Sequence, residues 1–193
     1  DTPTTIVLDR ALECVIEGGE FSTLQGRAAD GRSVALSLKA VEGNDVDLDL
    51  HILVDRSGST GSLMREGDVS VWQAMRDGLA SELGKMRPLD RVTLWQFDSD
   101  CQYLGTATGG DCATLTTMVE APRGGTELGG AIRAALGKGA KDILVLTDGQ
   151  TWAHMVEGLK GEAARISAIL AGPNSLDANI GHLCALTGGQ VLY

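Results

Sequence analysis

Two stretches of this chain run uninterrupted from apolar residues into an aspartate: "HILVD" ending at Asp55 and "DILVLTD" ending at Asp148. A continuous apolar run, rather than an alternating one, belongs to a strand covered on both faces. Between and beyond these runs, apolar residues fall at helical spacing. Trp72, Met75, Leu79, Leu83 and Met86 recur at threes and fours, which predicts one helix within 68–86. The spacing predicts further helices over 125–139, from near Thr126, over 153–163, and in "SLDANIGHLCALTGG". "RVTLWQF" (91–97), "RISAILAG" and the terminal "QVLY" read as strands. Alternating strands and helices imply an α/β fold, a doubly wound and mostly parallel sheet flanked by helices.

Residues 1–45 have another character. Val34, Leu36, Leu38 and Ala40 alternate with Ser33, Ser37 and Lys39, the period of a half-covered strand. Asp30-Gly31 signals a hairpin back to the stretch around Phe21–Ala28, and Ile6–Ile16 adds a third period-two run. A small N-terminal antiparallel β segment (1–45) followed by an α/β domain (46–193) is expected. The segment could belong to a flanking β-sandwich.

The 193 residues, 43% hydrophobic and 22% charged, can build a proper core. The net charge of −10 excludes a nucleic-acid binder of the ordinary kind, because phosphate neutralisation needs basic residues. It fits a chain that attracts cations or basic surfaces. No apolar run is long enough for a membrane helix, so direct insertion is not expected. Four cysteines, at 14, 101, 112 and 184, form no C-x-x-C pair and speak against zinc. Cys101 and Cys112 could bridge a short loop or remain free thiols.

In doubly wound sheets ligands bind beyond the carboxyl ends of the strands. Asp55 and Asp148 should share that edge. Ser57 and Ser59 follow Asp55 at alternate positions, and "RGGTEL" supplies Thr126 behind two glycines. Carboxylates and hydroxyls without thiol or imidazole form an oxygen-only set suited to a hard divalent cation such as Mg²⁺. Asp47 and Asp49 read as solvated residues at a strand entrance, and His51 as a packed strand residue.

Asp55-Arg56-Ser57-Gly58-Ser59, then Thr126 in "GGT", then Asp148 in "TDG", resembles the von Willebrand factor A (vWA, integrin I-like) family. The resemblance lies in that family's metal-ion-dependent adhesion site, D-x-S-x-S followed by a distant Thr and a distant Asp. It covers about 46–193. Thr60 stands where many members carry Met, and the N-terminal segment resembles strands flanking some bacterial members. The resemblance implies that Ser57, Ser59 and Thr126 bind the ion directly and that Asp55 and Asp148 bind it directly or through water. Mg²⁺ is the expected ion, with Mn²⁺ or Ca²⁺ fitting the same atoms. A protein partner's Asp or Glu would complete the coordination. Arg56, Met64, Arg65, Trp152 and His154 are the candidate rim residues for that partner. The alternative implied is a regulatory or scaffold subunit working with an AAA+ ATPase of the MoxR or chelatase kind. A metal-dependent hydrolase is disfavoured, since no general base is evident once both carboxylates serve the ion. The compartment is open between cytoplasm, slightly favoured, and the exterior.

Overall fold

The computed structural model describes residues 22–27, 33–38, 47–64, 68–149, 159, 164–172 and 178–192. The chain divides into two units, Asp1–Val46 and Asp47–Tyr193. In the first, β1 (Ser22–Arg27) pairs antiparallel with β2 (Ser33–Leu38), with Ser22 opposite Leu38 and Arg27 opposite Ser33. The strand expected around Ile6–Ile16 lies outside the described residues.

The second unit is built on a six-stranded sheet in the order β5-β4-β3-β6-β7-β8. Its strands are β3 (Asp49–Asp55), β4 (Arg91–Phe97), β5 (Cys101–Thr108), β6 (Asp142–Thr147), β7 (Arg165–Leu170) and β8 (Val191–Leu192). All neighbours run parallel except β4 and β5. Helices α1 (Val71–Leu83), α2 (Leu128–Gly137) and α3 (Ala178–Leu186) flank it. This is the expected doubly wound α/β fold.

Alternate residues of the central strands feed two cores. Ile52, Val54, Val92 and Leu94 pack with Met75, Leu79 and Leu83 of α1. Leu53, Trp95 and Phe97 pack with Ala131, Ile132 and Ala135 of α2 and with Ile180 and Leu183 of α3. With both faces covered, β3 is buried from His51 onward and β4 from Val92 onward, so apolar residues fall on both faces instead of alternating with solvated ones. Their entrances stay wet. Asp49 pairs with Arg91 there, and Asp90 accepts hydrogen bonds from the Leu48 N–H (2.9 Å) and the Arg87 N–H (2.8 Å). Deeper in, buried His51 accepts from the Trp95 indole N–H at 3.3 Å.

α1 starts where Ser70 accepts from the Gln73 N–H at 3.1 Å, an N-cap. α2 starts at Leu128, because the Glu127 side chain caps it by accepting from the Gly130 N–H. Residues 101–118, to which no periodicity assigns an element, form β5 and a 3-10 segment over Gly109–Met118. Cys101 and Cys112 are free thiols, not a bridge. β5 turns Cys101 toward the α2 core, and the 3-10 segment buries Cys112 in the α1 core. The helix expected over 153–163 falls outside the described residues, apart from Leu159. Among the described residues no helix is long and apolar enough to cross a membrane.

Candidate metal centre

Asp55 closes β3, and β6 runs beside it in register, with Val54 opposite Leu146. Thr147 therefore flanks Asp55, and its hydroxyl donates to Asp55 Oδ2 at 2.6 Å. The other carboxylate oxygen accepts from the Ser57 N–H at 2.7 Å. That contact starts a turn which passes into a 3-10 segment over Gly58–Gly61. Buried Thr60 fixes the turn, its hydroxyl donating to the Ser57 carbonyl at 2.7 Å. The alternate serines then point together, with Ser57 Oγ and Ser59 Oγ 3.1 Å apart.

The Thr126 loop is brought to this turn through its glycines. The Gly58 N–H donates to the Gly124 carbonyl at 3.1 Å, and the Gly125 N–H donates to Ser99 Oγ at 2.9 Å. Gly124 has φ +70, and a Cβ there would stand 3.1 Å from Ser99 Oγ, so this approach needs glycine. Thr126 follows, half-buried. Asp148 lies one residue past the end of β6.

The electrostatics fit a cation. Burial pushes the Asp55 carboxyl up to about 6, the Thr147 and Ser57 hydrogen bonds pull it down, and the neighbouring Asp148 adds to the rise. Asp148 Oδ1 is buried and has no hydrogen-bond partner among the described residues. A buried acceptor left unpaired is costly. A divalent ion would satisfy it and relieve the repulsion between the two carboxylates. The donor set is two carboxylates with three hydroxyls, all oxygen, as hard cations prefer. Among the described residues no group of three or more His, Cys, Asp or Glu side chains could hold a metal. An ion held by the described residues would therefore draw on the hydroxyls.

The expected rim looks different in three dimensions. Arg56 is not a rim residue: it is 3% exposed and its guanidinium pairs with Asp98 Oδ2 at 2.8 Å and with Glu120. Alternation explains the correction, because the residue between Asp55 and Ser57 points away from the face those two share. Met64 is half-buried against the α1 core, its N–H donating to the Val69 carbonyl. Arg65, Trp152 and His154 lie outside the described residues. Sequence reading missed Thr147, which the register of β3 and β6 alone reveals. It also missed the ion group of Arg56, Asp98, Glu120 and Arg123, whose members are scattered along the chain.

The doubly wound α/β sheet defines the fold class. The fold is that of the vWA domains. The structure of the conserved hypothetical protein BatB from Bacteroides thetaiotaomicron matches with a TM-score of 0.60 at 13% identity, over 75% of this chain and 89% of that one. The VWA domain of SpRpn10 matches with a TM-score of 0.58 at 15% identity, over 76% and 87%. The ArnB paralog VWA2 from Sulfolobus acidocaldarius matches with a TM-score of 0.58 at 15% identity, over 90% of this chain and 46% of that one. No protein-family model and no curated sequence matches the chain.

Proposed function

We propose that this chain is a Mg²⁺-dependent protein-interaction module that takes an Asp or Glu side chain of a partner at the centre described above. The carrying observation is Asp148 Oδ1, a buried carboxylate oxygen without a partner among the described residues, beside the desolvated Asp55. Ser57, Ser59 and Thr126 would hold the ion by their hydroxyls, with Asp55 and Asp148 supplying its countercharge. The bound ion would act as a Lewis acid toward one more oxygen ligand. Hydroxyls add no charge, so two carboxylates just neutralise the ion and leave it receptive to an incoming carboxylate. In this reading the module is a binder and not an enzyme: both carboxylates would be committed to the ion, and among the described residues no further base is assigned to a reacting water.

Calorimetric titration with Mg²⁺ and with Mn²⁺ tests the centre. The wild type should bind and Asp55→Ala should not. A wild type silent at millimolar ion, or an Asp55→Ala variant that binds as well, sinks the reading. Peptides carrying Asp or Glu, presented with Mg²⁺ and then with chelator, test the partner step. Capture that ignores the chelator argues against it.

A further inference from the structure

We propose that Arg56 is a positioning residue, a buried clamp that sets the loop carrying Thr126 against the Ser57–Ser59 turn. Its bearing on ion affinity rests on the cation reading above; the clamp itself does not. Arg56 holds three segments at once. Its N–H donates to the Phe97 carbonyl at the end of β4 (2.9 Å), and its carbonyl accepts from the Arg123 N–H (2.7 Å). Its guanidinium joins Asp98, just past β4, to Glu120, at the start of the Thr126 loop. Arg123 reaches Asp98 Oδ2 from outside at 3.2 Å. Gln96, wholly buried, accepts from the Glu120 N–H at 2.9 Å and fixes the same loop from below.

The clamp reaches Thr126 through both of its neighbours. The Gly125 N–H donates to Ser99 Oγ, and the Glu127 N–H donates to the Asp98 carbonyl at 2.7 Å. Thr126 thus hangs between two bonds to the Asp98–Ser99 turn, and Arg56 grips that turn from behind. Burial alone would raise the Asp98 carboxyl, but the Asp100 N–H and the Arg123 and Arg56 guanidiniums outweigh it and hold the group low. A guanidinium spans two carboxylates with a fixed fork of donors; a lysine offers one compact charge and cannot bridge them in the same geometry. Burying a charge is costly unless it is well paired, and Asp98 and Glu120 supply that pairing.

Amide hydrogen exchange on the whole chain, wild type against Arg56→Lys, reads the clamp without metal. Exchange at Gly58, Gly125 and Glu127 should quicken about tenfold, while Val145 in the sheet stays as in the wild type. Unchanged exchange, or equal acceleration at Val145, overturns the proposal. Should Arg56→Lys fail to fold, Glu120→Gln removes only the outer, half-exposed partner and should quicken the same amides to a smaller extent. In the metal titration Arg56→Lys should weaken Mg²⁺ or Mn²⁺ binding by about 10–100-fold, the usual effect of losing an outer support. In a Thr126→Ala background the same change should add no further loss, because the clamp acts through Thr126; a fully additive loss overturns it. Selective exchange in a wild type that binds no ion supports the clamp and sinks the cation reading, so the two failures separate.

Discussion

Asp55 must carry charge in a place that disfavours it. Its folded carboxyl stands at about 6, above the ordinary 3.8, because burial outweighs the bonds from Thr147 and Ser57. The sign follows. A raised carboxyl favours the fold while it is protonated, and that contribution is lost as pH rises from about 4 through about 6. The difference corresponds to about 3 kcal/mol, at 1.36 kcal/mol per unit. Metal-free wild type should therefore lose stability across that window relative to Asp55→Asn, as denaturant unfolding at pH 4, 5, 6 and 7 would show. A parallel pH dependence in the two proteins removes Asp55 as the cause. In the proposed reading Mg²⁺ would compete with the same proton, so its stabilising effect should grow over the same interval. The candidate ligands were readable in the chain because each sits at a fixed offset from a strand end or a glycine turn. Arg56 was not, because its partners Asp98 and Glu120 lie 42 and 64 positions away and no local pattern links them.

β4 was readable to the residue, since "RVTLWQF" is one strand from Arg91 to Phe97, buried from Val92 onward. β5 was not. It is an edge strand with mixed burial, its pairing slips between Leu94 and Trp95, and Gly105 interrupts its pattern. The 3-10 segment after it has no 3.6-residue period to detect. The last helix shows what local glycines decide. After α3 the chain turns through Gly188 at φ +73, and Thr187 Oγ1 accepts from the Ile166 N–H of β7 at 3.1 Å. Gly189 then passes so close to β7 that a Cβ would stand 1.8 Å from the Ile166 carbonyl oxygen. Gly189→Ala should cost about 3 kcal/mol, because the clash is with backbone and cannot be relieved by a rotamer. Gly181→Ala, in the body of α3 with nothing within 4 Å of the added methyl, should stabilise by about 0.5–1 kcal/mol. Thermal unfolding of the two single variants checks both, and equal effects would mean that α3 does not pack on β7 as described.

A net charge of −10 favours the approach of cations to the chain as a whole. Mg²⁺ affinity should fall severalfold as ionic strength rises from about 20 mM to about 200 mM, since screening shortens the reach of that charge. Calorimetry in two buffers measures this; a salt-independent affinity would mean that only the neighbouring oxygens matter. The arrangement of the sheet has a kinetic side as well. Asp55 and Thr147 meet across 92 positions of chain, and they do so only when β6 docks beside β3. That is the most distant pairing in the described sheet, and loop-closure entropy makes such contacts slow to form. The ligand edge should thus be completed late on the folding path. An ion that recognised only the completed edge would not hurry the chain toward it, and would act instead as a brake on its undoing.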